Sequence, residues 1–279
     1  MVRRCSEQAL NIPITKIVRI VLADLLKLLT KRITLIKRKT MLSRSELKYI
    51  QSLSDKKVRL ESGCFIAEGV KLVGEMIAAG YPIEKLYAIE SWDSPDTSIE
   101  VNRVEAFELE KMSLLQTPNQ VVAVVKMPSK IDAVKLDGKL TIVLDGIQDP
   151  GNLGTIIRIA DWFGITQIVA SEDTADVYNP KVIQATMGSF MRVSVAYKNL
   201  ADWLPTVKLP VYGALLEGEN IFTTKAPKQG LLLIGSEAKG IRENIIDLVT
   251  QPVTIPKIGG AESLNAGVAT GIIVAQLTR

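Results

Sequence analysis

The chain of 279 residues contains no histidine. That removes the usual general base near neutral pH and the commonest metal ligand, so serine–histidine and cysteine–histidine chemistry are excluded. The two cysteines, Cys5 and Cys64, are too few and too far apart for a disulfide framework or a zinc cage. Long apolar runs are missing too: none approaches the roughly 20 residues that span a bilayer or the roughly 7–15 of a signal-peptide core. No membrane role of the spanning kind is expected. What is present, 47% hydrophobic and 23% charged residues, is the composition of a soluble globular protein. The length allows two domains of ordinary size.

A net charge of +4 conceals an asymmetry. Residues 1–40 hold ten Lys or Arg against Glu7 and Asp24, which leaves the rest of the chain net negative by four. Binding to nucleic acid would therefore need a local basic patch and not a global field. Within the basic segment, Val18, Val21, Leu22, Leu25, Leu28 and Leu29 recur at helical spacing among Arg19, Lys27, Lys31 and Arg32, so a basic amphipathic helix is expected. A membrane-surface or targeting role is one reading of it. The simpler one is that Met41, which opens a fresh polar segment, is a natural start and that residues 1–40 are an upstream extension outside the folded body.

From Ser43, the spacing of Leu47, Ile50 and Leu53 predicts a helix, followed by a charged turn with Lys56, Lys57 and Arg59. Those three are either a solvated turn or contacts to RNA phosphate. Phe65–Ala67 reads as a strand, Glu68 to Ala79 as a helix closed by Gly80, Leu86–Ile89 and Val104–Phe107 as strands, Leu109–Leu115 as helical and Val121–Val125 as a strand. Residues 128–139 mix proline, glycine and charge without periodicity and form the expected linker between a domain at 41–127 and one at 140–279. The second alternates strands at 140–144, 167–170, 193–196, 211–215, 231–234 and 253–255 with helices, which predicts an α/β fold with a mostly parallel sheet.

Ligands of parallel sheets gather beyond the carboxyl ends of the strands, and three loops there are rich in glycine and polar residues. In the first, Asn152 is placed to cap a helix with the core face Ile156, Ala160 and Phe163. Arg158 falls off that face, leaning back over the loop or paired with Asp161 or Asp149. In the second, Glu237 leaves a buried strand between Gly235 and Gly240, where solvent exposure is the ordinary expectation for a glutamate. In the third, Ser263 and Asn265 flank Leu264 at the mouth of an apolar helix. Its Gly267, Gly271 and Ala275 leave one face nearly bare for close packing.

Asn152-Leu-Gly-Thr-Ile-Ile-Arg158, Ile234-Gly-Ser-Glu-Ala-Lys-Gly240 and Ile255-Pro through Ser263-Leu-Asn265, in that order and spacing, resemble the three motifs of the SpoU-type RNA 2′-O-ribose methyltransferases of the SPOUT class. The preceding domain, with Phe65-Ile-Ala-Glu-Gly-Val-Lys-Leu-Val, looks like the ribosomal-protein-like RNA-binding domain that many members carry. The resemblance covers 41–279. It departs at Ala266-Gly267, where members often have Val-Ser, and at Ala238, where they have Gly.

The resemblance implies a trefoil knot in the C-terminal domain and a homodimer in which both subunits shape the site. It also implies S-adenosylmethionine held by backbone groups around Gly235, Ile255 and Leu264, and a cytoplasmic enzyme that needs no metal. Its substrate would be RNA, rRNA favoured over tRNA, with Lys56, Lys57 and Arg59 as candidate RNA contacts. Arg158 is the implied catalytic group. An arginine stays charged at any ordinary pH and makes a poor base, so electrostatic stabilisation of the developing alkoxide is expected of it. Asn152 and Asn265 would orient the reacting groups, Glu237 would brace the loops and Ser263 would donate a hydrogen bond. Two other classes stay open: a non-catalytic RNA-binding or ribosome-assembly factor, and a nucleotide-binding enzyme that cradles phosphate on Gly151-Asn-Leu-Gly. The second lacks both common phosphate-loop patterns.

Overall fold

The computed structural model describes residues 42–128, 134–136, 138 and 140–279. The expectations for residues 1–40, and most of the linker, lie outside the described residues.

The first layer begins with α1 (Arg44–Ser52), whose start is set by the Ser43 hydroxyl accepting the Glu46 N–H at 3.1 Å. Asp55 then opens a second helix, α2 (Lys56–Ser62), by accepting the Lys57 N–H at 2.7 Å, and Gly63 closes it in the left-handed region at φ 67°. The charged turn expected here is thus a helix, because capping groups stand at both of its ends. The chain continues through β1 (Cys64–Glu68), α3 (Val70–Ala78), β2 (Ile83–Ala88), β3 (Asn102–Arg103), α4 (Ala106–Met112) and β4 (Val121–Lys126). The strand expected at 104–107 is not formed there: two residues just before it, Asn102 and Arg103, pair with β2, and the reciprocal capping box of Glu105 and Glu108 starts α4 at Ala106. The sheet order is β1-β4-β2-β3, with β4 antiparallel to both of its neighbours.

The second layer runs β5 (Leu140–Asp145), α5 (Pro150–Trp162), β6 (Gln167–Ser171), α6 (Pro180–Thr186), β7 (Ser194–Lys198), α7 (Leu200–Trp203), β8 (Val211–Asn220), β9 (Gly230–Gly235), α8 (Glu243–Ile246), β10 (Gln251–Thr254) and α9 (Ala266–Leu277). Its six strands, in the order β10-β8-β9-β5-β6-β7, are all parallel. Because helices cover both faces, β5 and β9 are buried along almost their whole length, which explains their near-continuous apolar sequences. β8 runs five residues past its expected end. It pairs with β10 on both sides of an irregularity, where Gly213 opposes Pro252 and Glu219 opposes Val253.

One face of each sheet joins a common core. The Phe65 ring of β1 lies 4.9 Å from Tyr178 and 5.9 Å from Phe190, centroid to centroid, the latter edge-on. Below this contact is an ion pair. Arg59, only 1% exposed, donates from Nε and Nη2 to Asp176 Oδ2 at 3.1 and 2.6 Å, and from Nη1 to the carbonyls of Leu53 and Ser54 at 2.9 and 2.8 Å. The surface contact expected of Arg59 is therefore replaced by a buried clasp between the two layers. Lys56 and Lys57 do face solvent, and the Lys57 ammonium pairs with Glu61 at 3.9 Å in an exposed contact of little energetic weight.

Candidate functional site

The carboxyl ends of β5, β9 and β10 bring the three loops together. At the first, Asp149 and not Asn152 caps α5, accepting the Asn152 N–H at 2.8 Å, with Pro150 at the first helical position where no N–H is needed. This local arrangement frees the Asn152 side chain for the other two loops. Its Nδ2 donates to Glu237 Oε1, and its Oδ1 accepts from Asn265 Nδ2 at 2.7 Å. Asn265 caps α9, its Oδ1 taking the N–H groups of Gly267 and Val268 at 3.0 and 3.2 Å. The Ala266 N–H returns to Glu237 Oε1 at 3.2 Å. Asn152, Glu237 and the start of α9 thus form a closed hydrogen-bonded circuit. Each amide side chain keeps a second N–H for a bound molecule.

Arg158 lies six residues beyond Asn152, about 9 Å along the axis of α5 at about 1.5 Å per residue. It is exposed, and among the described residues it makes no hydrogen bond or ion pair. Both partners that could have made it structural are engaged elsewhere. Asp161 is gripped by Arg192, from Nε at 3.0 Å and Nη2 at 2.7 Å, a pairing that holds the Asp161 carboxyl below the usual carboxylate range. Asp149 is the helix cap. The circuit includes neither Arg158 nor Ser263; Ser263 is exposed and bonds to no described residue.

The loop carrying Glu237 is held closed by reciprocal main-chain bonds between Ser236 and Gly240, at 3.2 and 2.8 Å. A side chain at Gly235 would run into the peptide joining Gly240 to Ile241. The chain's own fold-back is thus enough to require a glycine here. Gly235→Val should pry the loop open, so hydrogen exchange across Ser236–Ile241 should accelerate markedly. Unchanged exchange there would contradict this reading of Gly235.

The bare face of α9 has a similar explanation. A Cβ at Gly267 would lie 2.9 Å from Thr155 Cγ2, and one at Gly271 would lie 3.5 Å from Ile159. Those glycines admit α5 of the same chain. The third loop is open by contrast: the main chain of residues 256–264 makes no hydrogen bond to any described residue, Ile258 is fully exposed and Leu264 is half exposed. Free peptide groups beside apolar side chains suit a ligand such as S-adenosylmethionine, whose adenine could be recognised through the backbone.

Two residues at this end of the sheet escaped the sequence reading. Asp145, the last residue of β5, is completely buried. It accepts the Arg242 N–H at 2.8 Å and Nε at 2.6 Å, and is also paired with Nη2. Arg242 reaches Asp173 as well, at 3.5 Å. The available signal was a carboxylate ending an otherwise apolar strand.

Comparison with known proteins gives this geometry its context. Residues 139–275 match the SpoU rRNA Methylase family, and residues 44–123 match the MRM3-like substrate binding domain. The chain is 30% identical to the Bacillus subtilis (strain 168) 23S rRNA (guanosine(2553)-2'-O)-methyltransferase RlmP, over 81% of this chain and 93% of that one. It is also similar to two solved structures. A TrmH-family protein from Porphyromonas gingivalis has TM-score 0.76 and 37% identity, covering 85% of this chain and 98% of that one. An AdoMet-bound rRNA methyltransferase from Sinorhizobium meliloti has TM-score 0.76 and 28% identity, covering 85% and 95%. With the family match over its second layer and these relatives along most of its length, the chain belongs to the SpoU family.

Proposed function

We propose that this protein transfers the methyl group of S-adenosylmethionine to a ribose 2′-hydroxyl of ribosomal RNA. The observation that carries the reading is the closed circuit of Asn152, Glu237 and Asn265, with the Arg158 guanidinium uncommitted on the same helix as Asn152. When bound, S-adenosylmethionine supplies an electrophilic methyl group. The groups that would hold it are the main chain of the third loop, from Ile255 to Leu264, and the turn at Gly235.

A ribose hydroxyl is a weak nucleophile. Arg158 grips the neighbouring phosphate and stabilises the alkoxide that develops as the proton passes to solvent water, which needs a fixed cation more than a protein base. Asn152 and Asn265 orient the reacting groups with their remaining N–H donors, Glu237 holds the loops in register, and Ser263 donates a hydrogen bond from the open loop. Much of the rate would come from position alone. Residues 41–127 serve as the RNA-binding part, with Lys56 and Lys57 as phosphate contacts. Among the described residues no helix is long and apolar enough to cross a membrane, and we place the reaction in the cytoplasm.

The same reading includes a homodimer. α9 is apolar on nearly every side, Val268 on it is exposed, and Trp162 at the end of α5 is 86% exposed. A helix of that kind is normally covered, and a second copy is the occupant proposed. Trp162→Glu should shift light scattering from dimer to monomer at micromolar concentration; an active wild-type monomer would defeat this part.

Methyl transfer itself is tested by incubating the protein with methyl-labelled S-adenosylmethionine and ribosomal RNA. Label should enter the RNA. A non-catalytic assembly factor would bind the RNA and transfer nothing.

A further inference from the structure

Glu237 joins the circuit from an exposed loop, so packing does not fix its position. Residues 237–240 all face solvent, and beyond the loop's own bonds from Ser236 to Lys239 and Gly240, it is anchored to the sheet at its two ends. Its start is the last residue of β9, Gly235, which pairs in register with Asp145 of β5. Its exit is Ile241, nearly buried, followed by Arg242, whose main-chain N–H and guanidinium both end on Asp145. One residue therefore borders both ends of the loop: the Asp145 backbone lies beside Gly235 in the sheet, and its completely buried carboxylate holds Arg242. A buried ion pair is an inefficient source of stability, since apolar residues of similar size often serve as well. Here it acts on geometry: the Nε and Nη2 fork sets the direction in which the chain leaves the loop.

We propose that Asp145 and Arg242 are a positioning pair that holds Glu237 where its carboxylate meets both Asn152 and the Ala266 N–H. Neither residue touches substrate; each acts through Glu237. The proposal rests on reading the circuit as the methyltransferase site, because its kinetic consequence is a loss of turnover. Asp173, the outer neighbour of Arg242 at 3.5 Å, has no part in it. Its carboxyl is held low chiefly by a hydrogen bond from Ser171.

The test compares Arg242→Lys, Glu237→Gln, the double variant and Asp173→Asn. Asp145→Asn is added as a more severe change and is interpreted only if it unfolds cooperatively. Arg242→Lys keeps the main-chain N–H and the charge but loses the fork. It should lower kcat about tenfold with the RNA KM unchanged, against a scale on which about 1 Å of misplacement costs about 100-fold. The double variant should be no worse than Glu237→Gln alone, and Asp173→Asn should match wild type. A second readout does not depend on activity: exchange of the Ala266 amide, which donates to Glu237, should accelerate in Arg242→Lys. Losses that multiply in the double variant, or unchanged Ala266 exchange, would overturn the proposal. A wild-type protein that methylates no RNA would refute the methyltransferase reading instead, and the exchange result would still decide whether the pair positions Glu237.

Discussion

Arg158→Ala is expected to lower single-turnover methylation by about 100-fold or more, the loss typical when one charge-stabilising group is removed, while S-adenosylmethionine affinity stays close to wild type. The split follows from the structure. The open peptide groups of residues 256–264 are on a loop and Arg158 is on α5, so cofactor binding has no evident need of the guanidinium. Nor should the substitution disturb the fold. Asp161 keeps Arg192 and Asp149 keeps its cap bond, so no partner is orphaned and the stability change should stay within about 0.5 kcal/mol. Arg158→Lys should recover only part of the rate, because lysine retains the charge but not the planar fork that spans a phosphate and a ribose oxygen. Calorimetry with the cofactor and methylation of a substrate RNA would check both halves. A variant that has lost cofactor binding, or one that methylates at the wild-type rate, would remove Arg158 from the proposed role.

A different failure is expected of Arg59→Ala. The guanidinium is buried against Asp176 and two carbonyls, and its removal leaves a carboxylate with only 14% exposure short of its partner. Breaking a buried pair from one side costs about 3–5 kcal/mol. At about 2–4 °C per kcal/mol for chains of comparable size, Tm should fall by about 10 °C. The double change Arg59→Met with Asp176→Leu should regain much of the loss, since no charge is then stranded. Scanning calorimetry would show this. If Arg59→Ala instead lowered RNA affinity at unchanged Tm, the original reading of Arg59 as an RNA contact would be restored.

The contrast between these two arginines marks what the sequence can convey. Arg158 sits on a helix whose local periodicity shows it off the core face, so its exposure was legible. Arg59 looked equally free, because its partner is 117 residues away and nothing in the local pattern marks the pairing. Strands β5 and β9 were readable for a physical reason: burial on both faces makes them continuously apolar. Capping was legible in kind but not always in place. Asn265 opens α9 as expected, whereas Asp149-Pro150 took the cap that Asn152 had been assigned, and in doing so released Asn152 for the circuit.

The glycines were harder. Gly267 and Gly271 were expected to admit a close neighbour that the sequence could not name, and Gly235 was expected to leave its backbone open. The neighbours are Gly240–Ile241 and α5, all of this chain. Sequence spacing shows that backbone must be approached, and only the fold shows by what. The knot is another step removed. General connection rules argue against it, and it enters with membership of the family.

The central claim is that the methyl group lands on a ribose oxygen, and the chemistry of RNA offers a direct measurement. Ribosomal RNA methylated by this protein from labelled S-adenosylmethionine can be treated with alkali and the products mass-mapped. Alkaline cleavage needs a free 2′-hydroxyl to attack the adjacent phosphate. The account therefore predicts label in an alkali-resistant dinucleotide that yields a 2′-O-methylated nucleoside. Label recovered in alkali-sensitive mononucleotides, with the methyl group on the base, would contradict it.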